Sequence, residues 1–112
     1  MNAVVEAVRS LLGLLVAGDW TGLERITSGS GLPIADVRAA VAEYGRTLVM
    51  PPVEALNDLD AVEVGTTVQQ TLSIRVPLWT QEEGRSDLEL NLTVSEVDDG
   101  LWSVRVDDLL VP

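Results

Sequence analysis

The sequence predicts an α+β domain in which three N-terminal helices pack on a curved antiparallel sheet, a meander of three to four strands. Apolar residues recur at helical spacing up to Tyr44, they alternate at period two from Leu72 to Val106, and two turns ending in glycine break the alternating run. A chain of 112 residues fits one domain, 1–112, burying roughly two-thirds of its unfolded surface.

Val4, Val5, Val8, Leu11, Leu12, Leu15 and Val16 follow the 3.6-residue period and leave Asn2, Glu6, Arg9 and Gly13 opposite, so residues from about 3 to 17 form an amphipathic helix. Gly18 is its stop, and Asp19 caps a short second helix that buries Trp20, Leu23 and Ile26. Ser28 to Gly31, SGSG, reads as a flexible loop. Pro33 pre-sets a third helix with the stripe Ile34, Val37, Val41, Tyr44 and a stop at Gly45. Pro51-Pro52 enforce an extended crossing, Val53 to Leu56 allow one helical turn, and Leu59 to Val64 form a first strand. The register of that strand against Val68 onward stays open, because two- and three-residue loops at Gly65 both fit.

The meander follows from parity. Leu72, Ile74, Val76 and Leu78 before the first turn, and Leu88, Leu90, Leu92 and Val94 after it, share one buried face only if the loop holds an odd number of residues. A three-residue loop Glu82-Glu83-Gly84 places glycine where φ is positive and sets Trp79 opposite Asp87, Arg75 opposite Asn91 and Gln81 opposite Arg85. The loop Asp98-Asp99-Gly100 repeats this logic and aligns Val94 with Val104 and Leu92 with Val106. The other face is polar and charge-mixed, crossed by the row Arg75, Asn91, Asp107, while Trp20 and Trp102 fall on apolar stripes and are assigned to the core.

Composition excludes several functions. There is no cysteine and no histidine, which removes thiolate and imidazole chemistry; no transition-metal site and no cofactor are expected. All seven basic residues are arginine against 18 acidic ones, and a net charge of -11 repels phosphate backbones and anionic lipid, so neither nucleic acid nor membrane is an expected partner. A basic protein would be attracted. The apolar run Leu11 to Ala17 is short and its leading segment is not cationic, so it reads as a helix face and a cytoplasmic location is expected.

The order of helices, with Ala17-Gly18-Asp19-Trp20 closing the first, followed by a meander, resembles the cone-shaped domains of the nuclear-transport-factor-2-like superfamily. Tyr44-Gly45, Pro51-Pro52 and the run from Leu78 to Leu88, LWTQEEGRSDL, look like the hallmark of a family of small bacterial proteins of unknown function. That resemblance implies a compact cytosolic bacterial domain and carries over no catalytic residue.

Two functions are therefore weighed. The favoured one is a non-enzymatic binding domain that docks a protein, its own copy or a basic partner in a regulatory or immunity-type role, through the outer sheet face and hairpin tip. Its residues are Trp79, Arg75, Glu82, Glu83, Arg85, Asp87 and Asn91, with Trp79 as anchor near the centre of a homodimer. The other is a small-ligand pocket or isomerase-like enzyme between helices and sheet, drawing on Tyr44, Gln70, Glu96 and Asp108, where a buried carboxyl gains a raised pKa. A cavity beside Tyr44 lined by a carboxylate separates the two. Glu82, Glu83 and Asp87 around Arg85 more simply solvate a hairpin tip, since one turn rarely supplies the converging oxygens of a hard-metal site.

Overall fold

A computed structural model of the chain describes residues 3–64, 70–98 and 101–112. Helix α1, Ala3–Ala17, buries Val5, Val8, Leu11, Leu12 and Leu15, the stripe its periodicity requires. Asp19 caps α2, Trp20–Thr27, by accepting the Gly22 N–H at 3.0 Å. Leu23 and Thr27 face inward, and the buried Thr27 hydroxyl donates to the Leu23 carbonyl at 3.0 Å. Helix α3, Ile34–Tyr44, starts behind Pro33, buries Val37 and ends at Gly45. Trp20 and Trp102 are half-buried against the core rather than inside it, and the Arg38 guanidinium lies 6.0 Å from the Trp20 ring centre.

The SGSG segment is not loose. Gly31 forms a parallel bridge with Val106, and the Leu32 N–H donates to the Val106 carbonyl at 2.7 Å. Gly31 has φ +81, and a Cβ there would stand 2.3 Å from the Val106 carbonyl oxygen. Only glycine lets this loop reach the strand, so the expected flexibility is replaced by an anchor that covers part of a sheet edge.

Among the described residues five antiparallel strands form the sheet: β1 Leu48–Val49, β2 Asp60–Glu63, β3 Thr71–Thr80, β4 Gly84–Asp98 and β5 Leu101–Leu110. β3 pairs with β4 along one edge and with β1 and β2 on the other, and β4 pairs with β5. Between β1 and β2 the chain makes α4, the single turn Val53–Leu56, which buries Leu56. β1 was not expected from the sequence; the proline pair beside it masks a two-residue strand. The expectations about the Gly65 loop, and about Asp99 and Gly100 in the second turn, lie outside the described residues.

The meander matches its expected register through most of its length. Leu72 to Pro77 pair with Val94 to Glu89, which sets Arg75 opposite Asn91; Leu92 pairs with Val106 and Val94 with Val104. The hairpin tip departs from it. Trp79 pairs with Arg85, not Asp87, and Thr80 with Gly84, so the turn is Gln81 to Glu83 and Gly84, at φ +73, opens β4. Opposite Leu78 alone, β4 carries Ser86, Asp87 and Leu88. Two extra residues preserve parity, so Leu78 and Leu88 both remain buried. The buried Ser86 hydroxyl stabilises this bulge by donating to the Leu78 carbonyl at 2.8 Å and accepting the Leu88 N–H at 3.2 Å.

A second bulge corrects the outer row. Asn91 pairs with Asp108, and Asp107 is the extra residue, its carboxylate receiving Arg105 Nε at 2.8 Å and the Thr93 hydroxyl. One extra residue reverses parity, which turns Asp108 outward and Leu109 into the core. The inner face, Ile74, Val76, Leu78, Leu88, Leu90, Leu92, Val94, Val104 and Val106, forms one cluster with α1, α2, α3 and Leu56. This is an α+β fold with helices against one face of a curled sheet.

Candidate functional site

The conspicuous stretch from Leu78 to Leu88 folds into a latch. Glu82 accepts the Thr47 N–H and the Thr47 hydroxyl, both at 2.9 Å, while the Gln81 N–H donates to the Thr47 carbonyl at 2.8 Å. The Thr47 N–H, the backbone N–H of Glu82 itself and the Thr47 hydroxyl together hold the Glu82 carboxyl below the usual glutamate pKa. Glu83 accepts the Tyr44 hydroxyl at 2.9 and 3.1 Å and the Thr80 hydroxyl at 3.1 Å. The Glu83 N–H returns to the Thr80 hydroxyl at 3.0 Å, and the Asp87 N–H approaches the Tyr44 oxygen at 3.4 Å. Both glutamates thus fasten the hairpin tip to the connection between α3 and β1. Tyr44, assigned to a pocket on sequence grounds, belongs to this network.

The outer face lies beyond the latch. Trp79 is half-buried, flanked by its pairing partners Val49 and Arg85; Arg85 and Asp87 are exposed. Arg75 pairs across strands with Asp60 at 3.4 Å, and Arg105 with Asp107 at 2.8 Å. Such exposed pairs contribute little stability, about 0–1 kcal/mol each. Asn91 lies mid-sheet, its Oδ1 buried and without a hydrogen-bond partner among the described residues. None of the described outward side chains of the sheet is buried.

A third feature sits at the other end of β3. A cavity of about 430 Å³ opens between the start of α1, the segment after α4, β2, β3 and Trp102, lined mainly by Val4, Leu59, Leu72 and Ile74, with the amides of Asn57 and Gln70 among its polar groups. Of the four pocket candidates only Gln70 lines it. Glu96 pairs with Trp102 on the strand ladder, Asp108 is on the outer face, and Tyr44 lies roughly 27 Å away along β3 at about 3.4 Å per residue. No carboxylate is among the described lining residues. Beside Tyr44 runs an open groove of about 340 Å³ that includes Glu43, but the phenol is engaged by Glu83.

Among the described residues no three carboxylates gather as metal ligands, and no helix is long and apolar enough to cross a membrane. No curated protein and no solved structure matches the chain. A family model does match residues 12–112, a span that takes in the latch, the outer face and most of the cavity wall, so the chain belongs to the family described as Domain of unknown function (DUF7668).

Proposed function

We propose that the domain is a non-enzymatic protein-docking module whose working surface is the outer face of the sheet. The observation that carries this reading is the one-sided cover: helices pack on the inner face, while the outer one leaves Pro77 and Trp79 half-buried and a set of aliphatic and paired charged side chains exposed. The partner is a second copy of the chain or a basic protein, and a regulatory or immunity-type role suits the net charge of -11. A cytoplasmic bacterial setting and kinship with nuclear-transport-factor-2-like domains belong to the same proposal; helices followed by a curled meander support the kinship. The latch supports the reading indirectly, because it holds the tip that carries Trp79 and Arg85.

Affinity capture from the native host tests it with three baits: wild type, an outer-face reversal Asp87→Arg/Glu89→Arg, and a helix-side control, Glu24→Arg. The expected result is a partner or second copy retained by wild type and control and lost by the reversal. Capture that the reversal leaves intact would reject the outer face.

The cavity supports a second reading, a receptor for a small neutral apolar ligand. Its volume lies within the roughly 300–1,000 Å³ of ordinary ligand sites, and the polar side chains among its described lining residues, the Asn57 and Gln70 amides and the Trp102 indole, are neutral. The lack of a described lining carboxylate speaks against isomerase-like proton transfer there. Titration with the neutral fluorophore N-phenyl-1-naphthylamine, read by energy transfer from Trp102, should saturate at one per chain and be blocked by Ala61→Phe. Unsaturable binding would end this reading.

A further inference from the structure

The walls of the cavity beside α1 are neutral, but the strand ladder sets charges at its rim. Gln70, Leu72 and Ile74 line it at every second position, a stretch of about 14 Å at roughly 3.4 Å per residue. Ile74 is buried and Gln70 exposed, so Ile74 belongs to the floor and Gln70 to the solvent end. Two glutamates flank that end. On β2, Ala61 lines the cavity opposite Ile74, and the next residue on the same face, Glu63, stands opposite Leu72. On β4, Glu96 donates its N–H to the Gln70 carbonyl at 2.9 Å and pairs on its other side with Trp102, which also lines the cavity. Directly opposed residues of an antiparallel pair share a face, so Gln70 and Leu72 are bracketed by a glutamate from each neighbouring strand. Glu63 is exposed and Glu96 half-buried. The segments outside the described residues that adjoin these walls in sequence, Met1-Asn2, Gly65 to Gln69 and Asp99-Gly100, contain no lysine or arginine.

We infer that the cavity takes an amphiphile with a cationic head, its aliphatic tail against Leu59, Leu72 and Ile74 and its ammonium at the rim between Glu63 and Glu96. The inference rests on the cavity reading above, which fixes the neutral buried part of a ligand, and adds the end that reaches solvent. An ammonium has three donors and no acceptor, and at this rim it meets two carboxylates and the Gln70 amide oxygen. Trp102 in the wall adds an aromatic surface, to which cations are attracted.

The division between tail and head follows from where each group sits. A charge on the neutral floor would lose its hydration without a partner, whereas a head at the rim keeps much of its water while the tail leaves it. A carboxylate head is repelled by the two glutamates and by the net charge of -11. A hydroxyl head gains hydrogen bonds there without the charge, and so ranks between the two.

Isothermal titration of the full chain at physiological salt with octylammonium, octan-1-ol and octanoate, one tail with three heads, is the test. Octylammonium should bind one per chain and at least tenfold tighter than octanol, with octanoate weaker than both. Ala61→Phe should abolish octylammonium binding. Glu63→Gln/Glu96→Gln should bring it within threefold of octanol, whereas Glu24→Gln/Glu43→Gln, which removes the same charge from exposed helical positions, should leave the preference intact, each variant being checked for an unchanged unfolding midpoint. Octanol binding as tightly as octylammonium overturns the inference and leaves the cavity reading standing. A preference that the helical variant removes as fully as the rim variant also overturns it, since that marks general attraction to an acidic chain, and so does octylammonium binding that survives Ala61→Phe. If none of the three binds, the inference falls, and the naphthylamine titration decides the cavity reading separately.

Discussion

Replacing Gly31 with alanine should destabilise the fold more than the same replacement two residues earlier, and the difference measures how firmly the α2–α3 loop is held on β5. Both glycines have positive φ, +68 at Gly29 and +81 at Gly31. Both substitutions therefore cost roughly 1 kcal/mol of backbone strain, offset by about 0.4–1 kcal/mol from a less flexible unfolded chain. Those contributions cancel when the two variants are subtracted. What remains is contact: a Cβ at Gly29 meets nothing within 4 Å, whereas one at Gly31 stands 2.3 Å from the Val106 carbonyl oxygen and 2.5 Å from Arg105 Cγ. Reaching the 3.4 Å of ordinary contact requires the loop to retreat by about 1 Å from a backbone atom that cannot yield as a side chain would. That retreat stretches the Leu32 N–H bond to the same carbonyl, 2.7 Å long, beyond useful range and forfeits about 0.5–1.5 kcal/mol. With the residual clash the excess is about 1.5–3 kcal/mol, a large share of the roughly 5–15 kcal/mol that holds a domain together. Urea unfolding followed by tryptophan fluorescence reads it, and at a slope of about 1–3 kcal/mol/M the Gly31→Ala midpoint should fall about 1 M below that of Gly29→Ala. Coincident midpoints would refute the anchor.

Other consequences are local to the hairpin. Ser86→Ala should cost about 1–3 kcal/mol, since the Leu78 carbonyl in the bulge loses its buried donor; an unchanged urea midpoint would mean the bulge re-forms the regular ladder. Tyr44→Phe removes the donor to Glu83 and the long acceptor of the Asp87 N–H and should cost about 0.5–1.5 kcal/mol, while hydrogen exchange at the tip rises and that in α1 does not; uniform exchange across the chain would contradict a local latch. Because the pKa of Glu82 is lowered in the folded state, its contribution is present above the ordinary glutamate value of 4.5 and is lost as pH falls through the lowered one. Thr47→Val, which keeps the N–H and removes the hydroxyl, should raise the Glu82 pKa toward 4.5 in a carboxyl-carbon NMR titration, and an unmoved midpoint would exclude the hydroxyl as a cause.

Most of the architecture is legible in the residues, for identifiable reasons. Helix α1 is bounded as its periodicity requires, and the stretch from Leu72 to Val106 forms the expected meander because period-two alternation leaves few choices of face. Parity is also where legibility stops. It cannot distinguish registers two residues apart, so the bulge at Ser86 to Leu88 has no trace in the alternation. A one-residue bulge at Asp107 reverses it without an unusual residue type to mark the place. The latch was invisible for another reason: Tyr44 and Glu83 are 39 residues apart, and hydrogen bonds at that distance depend on a hairpin angle that no local pattern encodes. The cavity is lined by Leu72 and Ile74, the same kind of residue that fills the core, so composition cannot tell a wall from an interior.

Hydroxyl-radical footprinting tests the outer face most directly, comparing isotope-labelled chain in concentrated host extract with the dilute purified chain. Oxidation of Val62, Trp79 and Leu101 should fall in the extract, while Trp20 and the cavity-lining Trp102 react unchanged. Outer-face oxidation equal in both conditions, or protection confined to Trp102 and Leu59 at the cavity, would contradict the assignment of the working surface to the outer sheet.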